Sequence, residues 1–154
     1  MNIAIVGATG NVGRKIIEVL EDSKLSIKNL HLVASSKSAG LKLSFKGKEI
    51  KIEQLETFDF KKVNITFFSA GGKISQKYVP IAAKHSIVID NSSFFRMQKD
   101  VPLVVPEVNS ETLNNHKNII ANPNCSTIQM VLALKPLHDE YSIKRVIVST
   151  YQAV

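Results

Sequence analysis

The chain opens with Asn2-Ile3-Ala4-Ile5-Val6-Gly7-Ala8-Thr9-Gly10-Asn11-Val12-Gly13, and its architecture can be worked out from this segment. Residues 2–6 suit a short β-strand, residues 14–20 have the apolar spacing of a helix, and three glycines lie between them. A glycine motif placed directly after a strand and directly before a helix predicts a site for a dinucleotide.

Each of the three glycines meets a separate physical need. Gly7 can make the sharp turn after the strand, Gly10 lets the backbone approach a pyrophosphate, and Gly13 lets the helix lie close on the strand. The N-terminus of the helix would then face the phosphates. The spacing is G-x-x-G-x-x-G rather than the commoner G-x-G-x-x-G, so a tight turn without a ligand stays open as the alternative.

The loop after the second expected strand, residues 29–34, indicates which cofactor is preferred. It reads Ser35-Ser36-Lys37-Ser38 and therefore holds hydroxyls and a cation. Enzymes that prefer NAD usually carry an acidic residue near this point for the ribose 2′-hydroxyl. Because this loop has no carboxylate to repel a 2′-phosphate, it favours NADP. A polar loop with an incidental lysine is the alternative.

Strand and helix patterns alternate along the rest of the first 121 residues. The expected elements are a hairpin within 41–52, a strand at 63–68, a helix at 73–84, a strand at 87–90, a short helix at 109–115 and a strand at 119–121. Residues 101–106 contain two prolines and should be irregular or at a sheet edge. The strand at 63–68 leads into small residues, among them Gly71, across which a dinucleotide can lie. The pattern predicts an α/β fold with a Rossmann-like, doubly wound, mostly parallel sheet over residues 1–121.

Cys125 is the only cysteine of the chain, and it follows the turn Asn122-Pro123-Asn124. An apolar helix broken by Pro136 is expected over residues 128–137, which places the thiol at a helix N-terminus. The free backbone N–H groups and the helix dipole at that end favour a thiolate, and such a sulfur is a candidate nucleophile. A small buried residue in a βα connection is the alternative.

Arg96 ends the segment Asn91-Ser92-Ser93-Phe94-Phe95-Arg96, which follows the expected strand at 87–90. A guanidinium in such a loop can hold a phosphate or a carboxylate with two parallel hydrogen bonds, which a lysine cannot imitate. A surface arginine without a ligand is the alternative.

The composition is that of an ordinary soluble globular protein, with 44% hydrophobic and 21% charged residues. No apolar run approaches the roughly 20 residues of a membrane span, so we expect a cytoplasmic protein without a membrane partner. One cysteine excludes an intrachain disulfide and leaves too few thiols for a cysteine-based zinc site, and no metal is expected. The lysines behind the net charge of +7 are scattered without interleaved aromatic residues, which favours a solvated surface over a nucleic-acid face.

The last expected element is an alternating strand over residues 143–154, which stops without a turn or a polar tail. Such a strand would leave an apolar face and an unpaired edge exposed unless more protein covered them. We therefore expect the chain to be a fragment.

Six segments together resemble the aspartate-semialdehyde dehydrogenases, and the likeness covers nearly the whole chain. They are Gly7-Ala8-Thr9-Gly10-Asn11-Val12-Gly13, Ala34-Ser35-Ser36-Lys37-Ser38-Ala39-Gly40, Asp90-Asn91-Ser92-Ser93-Phe94-Phe95-Arg96, Val104-Val105-Pro106-Glu107-Val108-Asn109, Asn122-Pro123-Asn124-Cys125-Ser126-Thr127 and Ser149-Thr150-Tyr151-Gln152-Ala153-Val154.

The resemblance implies an oxidoreductase that reversibly converts aspartate 4-semialdehyde and phosphate into 4-aspartyl phosphate with NADP, in lysine (diaminopimelate), threonine and methionine biosynthesis. A thiolate adds to the aldehyde, hydride passes to the nicotinamide, and phosphate cleaves the resulting thioester. By this resemblance Cys125 is the thioester residue, Asn124 and Arg96 help to hold the phosphate, and Gln152 orients the substrate. Cofactor contacts are implied for Thr9, Gly10, Asn11, Val12, Lys37 and Ser38.

Members of the family continue through a second domain that supplies a histidine acid–base, further substrate ligands and a homodimer interface. The resemblance therefore makes residues 122–154 the cysteine turn, the helix and the first strand of an incomplete catalytic and dimerisation domain. The chain by itself is expected to be inactive. Many bacterial members have an arginine in place of Lys37. We therefore expect weaker binding of the 2′-phosphate, because a point charge replaces the forked donors of a guanidinium.

Two other functions stay open. One is a related acyl-phosphate reductase, such as the N-acetyl-glutamyl-phosphate enzyme, which shares the thiol mechanism and a glycine-rich N-terminal segment. The residues around Cys125 argue against this function. The other is a nucleotide-binding module without catalysis.

Overall fold

The structure is a computed structural model that describes residues 1–152, in which a six-stranded sheet, a separate hairpin and four α-helices are found. The strands are β1 (Asn2–Val6), β2 (Asn29–Ala34), β3 (Lys42–Phe45), β4 (Lys48–Lys51), β5 (Glu53–Gln54), β6 (Ile65–Phe68), β7 (Ile87–Asp90) and β8 (Ile119–Ala121). The α-helices are α1 (Asn11–Asp22), α2 (Gly72–Ala82), α3 (Pro106–Asn109) and α4 (Cys125–Tyr141). Short 3-10 helices span Leu55–Thr57, Phe60–Lys62 and Ser110–Asn115.

The six-stranded sheet is parallel throughout and has the order β5-β2-β1-β6-β7-β8. β1 lies inside the sheet, where it pairs with β2 on one side and with β6 on the other. The chain winds outward in one direction through β2 and in the other through β6, so the switch point of the topology lies between β1 and β6. The doubly wound α/β fold predicted from the sequence is confirmed.

The two faces of β1 belong to two separate hydrophobic clusters. Because successive side chains of a strand point to opposite faces, Ala4 and Val6 pack on one side of the sheet and Ile3 and Ile5 on the other. Buried residues of α2 join the first cluster and buried residues of α1 join the second. All four of these β1 residues are at most 1% exposed, so the strand that leads into the glycine turn is fixed from both sides.

The glycine turn is held tightly between the neighbouring strands. Gly7 has a φ of +87°, and its N–H donates to the carbonyl oxygen of Val33 at 2.8 Å. A Cβ on Gly7 would lie 2.7 Å from the carbonyl oxygen of Ser69, and one on Gly13 would lie 2.2 Å from that of Gly7. Gly10 has more room, since the nearest atom would be 3.4 Å away. Two of the three glycines are therefore required by close backbone contacts.

Two helices are longer than the sequence pattern indicated. α1 begins at Asn11, three residues before its expected start, because the extended backbone of Gly10 serves as the N-cap and completes the turn. α4 continues through Pro136 to Tyr141, so the predicted break is wrong. A proline removes one helical N–H, but Pro136 and Leu132, whose carbonyl would have accepted that bond, are both exposed, and water can hydrate the carbonyl.

The region before β8 follows the sequence prediction in part. Residues 101–106 reach the sheet edge, where Leu103 forms a single parallel bridge to Ala121. The short helix expected over 109–115 is found as α3 followed by a 3-10 helix. The helical segment begins at Pro106, before the expected residue 109, because of the side chain of Asn109. Its oxygen accepts from the N–H of Val105 at 2.9 Å and so satisfies the backbone directly before α3.

The C-terminal segment departs from its expected strand. Residues 143–152 have no regular secondary structure and pair with no strand in the part of the chain that the structure describes. For these residues the prediction of a strand over 143–154 is wrong, and residues 153 and 154 lie outside the described residues. The alternation of apolar residues matched a strand, but a strand also needs a neighbour for its ladder of hydrogen bonds.

We predict that Gly13→Ala will destabilise the fold more than Gly10→Ala, although both residues belong to the same glycine motif. The new Cβ at position 13 would overlap backbone atoms, and overpacking of this kind costs about 3 kcal/mol. Gly10→Ala should cost about 1 kcal/mol through poorer capping. Urea unfolding followed by circular dichroism measures both free energies of unfolding. Equal losses would contradict the close packing of α1 against the end of β1.

Candidate functional site

The segments predicted to form the site follow the carboxyl ends of five strands. Because the sheet is parallel, these ends lie at one edge, which we call the carboxyl edge. The glycine turn (7–10) follows β1, the serine loop (35–38) follows β2, the small-residue loop (69–71) follows β6, the arginine loop (91–96) follows β7 and the cysteine turn (122–125) follows β8. Ligands of such sheets bind outside the carboxyl ends, at the switch point. The topology therefore brings the predicted site segments to one side of the molecule.

A cleft of about 380 Å³, here called the cofactor cleft, opens at this switch point. Four predicted cofactor residues line it, namely Gly7, Thr9, Gly10 and Ser35. The other walls come from Val6, Ala34, Leu55, Glu56, Ser69, Ala70 and Ile74. The volume is within the range of small-molecule sites, and the glycines leave the backbone of the turn open to a ligand. These residues fit the adenosine and phosphate part of a dinucleotide.

The remaining predicted cofactor residues lie beside the cofactor cleft but are not among its lining residues. Asn11, Val12 and Gly13 form the first turn of α1, where the helix dipole and the first N–H groups favour a phosphate. The exposed residues Ser36 and Lys37 and the half-buried Ser38 continue the serine loop, which a hydrogen bond of 2.9 Å from Ser38 N–H to the Ser35 carbonyl closes. Gly71 is the N-cap of α2 and has a φ of +86°.

Glu56 is a lining residue that the sequence analysis missed. It lies in the 3-10 helix after β5, and although it is exposed it is one of the residues that line the cleft together with Ser35. The serine loop itself has no carboxylate, as expected, but the cofactor cleft does have one. Sequence periodicity gave no signal for Glu56, because β5 is only two residues long and pairs with the end of β2. A negative charge here opposes a 2′-phosphate and suits a ribose hydroxyl.

The thiol of Cys125 is exposed and lies at the first residue of α4. The alternative of a small buried cysteine is therefore wrong. Gln152 donates from Nε2 to Sγ at 3.1 Å, and among the described residues it is the only side chain hydrogen-bonded to the thiol. Gln152 is separated from Cys125 by 27 positions in the chain, so the structure brings these two predicted catalytic residues together.

Asn124 uses both ends of its side-chain amide. Its Oδ1 accepts from the N–H of Ser126 at 3.0 Å and caps α4, and its Nδ2 donates to Oε1 of Gln152 at 3.3 Å. The second bond orients the amide of Gln152 so that its NH₂ group points to the sulfur of Cys125. A three-residue chain of hydrogen bonds, Asn124 to Gln152 to Cys125, therefore begins at the helix cap and ends at the thiol.

Arg96 bridges the loops after β7 and β8. Its Nε donates to the carbonyl of Asn122 and its Nη2 to the carbonyl of Asn91, both at 3.0 Å. The side chain of Asn122 donates to Oδ1 of Asn91 at 2.7 Å and joins the same two loops. Two of the five N–H donors of the guanidinium are used in this way, which leaves three for a ligand. Asn91 and Asn122 are thus supports of the site that the sequence analysis did not single out.

A buried carboxylate fixes the loop that carries Arg96. Asp90 is 0% exposed and accepts from the hydroxyl of Ser75 at 2.7 Å and from the hydroxyl of Ser92 at 2.6 Å. The N–H of Ser92 adds a third bond at 3.2 Å. A buried charge needs such donors, and here they come from α2 and from the loop itself. The start of the arginine loop is therefore tied to the core.

Residues 1–152 contain neither a cluster of metal ligands nor a membrane-spanning helix. No group of three or more histidine, cysteine, aspartate or glutamate side chains there is arranged to hold a metal ion. None of the described helices is both long enough and apolar enough to span a membrane.

The sequence matches a known family model over most of its length. Residues 2–116 match the model described as semialdehyde dehydrogenase, NAD binding domain. The chain is also similar to the aspartate-semialdehyde dehydrogenase of Bacillus subtilis (strain 168), with 52% identity over 155 residues that cover 100% of this chain and 45% of the relative. The chain spans about half the length of the curated relatives it matches.

Solved structures agree with this match. The aspartate semialdehyde dehydrogenase II of Vibrio cholerae, complexed with ASA, has 51% sequence identity and a TM-score of 0.84 over 90% of this chain and 46% of that chain. The aspartate semialdehyde dehydrogenase of Candida albicans, solved with NADP, has 26% identity and a TM-score of 0.74 over 92% of this chain and 48% of that chain. Together with the family model, these findings indicate a nicotinamide cofactor.

We predict that Asn124→Asp and Asn124→Ala will affect stability differently. Aspartate keeps an oxygen for the N–H of Ser126 and should change the free energy of unfolding by less than about 0.5 kcal/mol, whereas alanine removes the cap and should cost about 1 kcal/mol. Thermal unfolding by circular dichroism measures both values. If aspartate destabilised the chain as much as alanine, the capping role assigned to Oδ1 would be wrong.

Proposed function

The chain belongs to the semialdehyde dehydrogenase family, and from this premise we propose that it is the cofactor-binding and cysteine-bearing part of an NADP-dependent aspartate-semialdehyde dehydrogenase. The observation that carries the proposal is the hydrogen bond between Gln152 and the exposed thiol of Cys125, at the same sheet edge as the cofactor cleft. A sulfur nucleophile that shares an edge with a nicotinamide site suits the oxidation of an aldehyde.

Cys125, in its thiolate form, would attack the aldehyde carbon of the substrate with Sγ. Sulfur and carbon form a bond, and the carbonyl oxygen takes up the negative charge. The N–H of Ser126 is taken by Asn124 Oδ1, and the other first N–H groups of α4 without a helical partner are donors for that oxygen. Gln152 holds the sulfur through Nε2, and Asn124 holds the amide of Gln152 in that orientation.

A nicotinamide, when bound, would supply the hydride acceptor: the C–H bond of the substrate carbon breaks, its carbonyl re-forms, and the carbon remains on Sγ of Cys125 as a thioester. Inorganic phosphate next adds to the thioester carbon, the carbon–sulfur bond breaks, and the thiolate leaves. The product is 4-aspartyl phosphate. Arg96 is suited to hold the phosphate, because three of its donors remain free of the described hydrogen bonds and Asn91 and Asn122 keep the guanidinium in place. Asn124 is a second proposed phosphate contact.

The choice of NADP rests on the balance between two charges at the cofactor cleft. Lys37 is exposed on the serine loop, where an ammonium group can reach a 2′-phosphate, and Glu56 lines the cleft wall. The hydroxyls of Ser35, Ser36 and Ser38 add neutral donors. In the proposed binding mode the serine loop contacts the 2′-phosphate of the cofactor. Gly71 and the first turn of α1 then lie nearer the other phosphates of the cofactor.

The complete enzyme is proposed to be a cytoplasmic homodimer of biosynthetic metabolism, as the family resemblance implies. In this chain, Gln152 cannot serve as a general base, since an amide does not take up a proton near neutral pH. Loss of a general base lowers rates about 10²–10⁴-fold. We therefore expect the 154-residue chain to bind the cofactor without measurable turnover.

A second candidate function is a nucleotide-binding module without catalysis. It is favoured by the family match, which covers residues 2–116 and ends before Cys125. In that case the nicotinamide nucleotide would bind, but the thiol would have no chemical role. A related acyl-phosphate reductase would instead show the same thiol chemistry with another substrate.

We predict no phosphate-dependent NADPH formation from aspartate semialdehyde by the purified chain, while binding of NADP is retained. The assay compares the wild-type chain with Cys125→Ala, with and without phosphate, and calorimetry measures NADP binding in both. Cys125→Ala should bind NADP as the wild type does, because the thiol lies outside the cofactor cleft.

Phosphate-dependent turnover that disappears in Cys125→Ala would show that the chain is a sufficient catalyst and that the argument from the missing base is wrong. Absence of both NADP and NAD binding would contradict the proposed function itself.

We predict opposite effects on cofactor preference for Lys37→Ala and Glu56→Gln. Lys37→Ala should weaken NADP binding about tenfold with little change for NAD, because a charge-assisted bond to the 2′-phosphate is lost. Glu56→Gln should strengthen NADP binding, because it removes a negative charge from the cleft wall. Calorimetric titration of both nucleotides measures the two ratios. Tighter binding of NAD than of NADP by the wild-type chain would show that Glu56 dominates.

A further inference from the structure

A second cleft lies at the opposite edge of the sheet, where β1 and β2 begin, and we call it the amino-edge cleft. Its volume is about 820 Å³, more than twice that of the cofactor cleft, and the two clefts share no lining residue. It opens between the sheet and the β3–β4 hairpin. Its walls combine apolar side chains with amide and imidazole groups, namely Ile27, Leu30, Phe45, Ile50, Asn2, Asn29 and His31. A concave site of this size and mixed lining suits a small molecule.

The amino-edge cleft is strongly basic. Four exposed lysines from three separate segments line it, namely Lys28, Lys46, Lys48 and Lys62, and no aspartate or glutamate does. Within residues 1–152 none of the four forms an ion pair, whereas the neighbouring Lys42 on the same hairpin pairs with Glu49 at 2.6 Å. Glu21 is close, but it accepts from the backbone N–H of Lys46 and does not line the cleft.

Hydrogen bonds hold the segments that carry these lysines. The side-chain NH₂ of Asn2 donates to the carbonyl of Lys62 at 2.9 Å, and that of Asn29 donates to Oδ1 of Asn2 at 3.1 Å. The N–H of Lys28 donates to the carbonyl of Met1 at 2.8 Å. The backbones at Lys28 and Lys62 are therefore fixed before any ligand binds, which lowers the cost of binding.

We propose that the amino-edge cleft binds a small polyanion, meaning an organic molecule with two or more phosphate or carboxylate groups. Four like charges around one cleft repel one another, and a polyanion would relieve that repulsion. The nearest carboxylates, Glu21 and Glu53, bond to the Lys46 backbone and to His31 and form an ion pair with none of the four lysines. Only two ring side chains, Phe45 and His31, line this cleft, too few for a platform on which successive bases stack, which favours a small ligand over a nucleic-acid strand. The proposal does not depend on the reaction at the carboxyl edge.

The test is a titration of the ¹⁵N-labelled full chain with sodium tripolyphosphate and, separately, with citrate, followed by amide chemical shifts. Shifts are expected for residues 28–31 and 46–50. Lys28→Glu combined with Lys48→Glu should weaken binding about tenfold or more. The matched control combines Lys84→Glu with Lys99→Glu, which changes the net charge equally at exposed lysines outside the cleft, and it should bind as the wild type does.

A response to only one of the two probes would support the proposal and identify phosphate or carboxylate as the preferred group. The proposal is overturned if neither probe shifts these amides, if shifts occur only at the glycine turn or around Arg96, or if both double variants lose equal affinity. Circular dichroism of the two variants checks that both are folded; the four substituted lysines are all exposed.

Discussion

The parallel pairing of β1 with both β2 and β6 is the constraint on which the rest of the structure depends. It places a strand that is buried from Ile3 to Val6 inside the sheet and directs the chain to opposite sides of it. α1 and α2 must then cover opposite faces, because each face of β1 carries its own apolar residues. The same pairing opens a crevice at the switch point, and the glycine turn is the only connection from β1 into it. The same strand pairing therefore determines both the fold and the position of the cofactor cleft.

The cysteine end of the site is held by a different kind of force. No residue of α4 is buried, and Leu132, Leu137 and Tyr141 are 39–76% exposed. Apolar packing therefore contributes little to the position of this helix. The thiol is placed instead by backbone and amide hydrogen bonds, including one from the N–H of Asn122 to the carbonyl of Asp90 at 2.8 Å. Polar bonds of this kind contribute only about 1 kcal/mol each, so the thiol depends on several of them together.

Sequence patterns predicted the parts of the fold that local physics controls. The bounds of β1, β2, β7 and β8 agree with the expected strands, because short apolar runs that end in turn residues have few alternatives. The missed features depend on distant parts of the chain. β5 exists only because it pairs with β2, and Glu56 enters the cofactor cleft as a result. Likewise, the alternating residues 143–152 lack a partner strand, and Pro136 is tolerated because its surroundings are exposed.

The position of the candidate site could be predicted from the sequence, but the residue types found there are harder to explain. Several of its residues act both in the fold and in the proposed chemistry. A helix cap accepts serine, threonine, aspartate or asparagine almost equally, so capping does not account for asparagine at position 124. Only an amide can accept from Ser126 with one end and donate to Gln152 with the other. Arg96 follows the same logic, since a lysine could not bridge two carbonyls and still present a planar set of donors. The residue types at these two positions are therefore explained by the site and not by the fold.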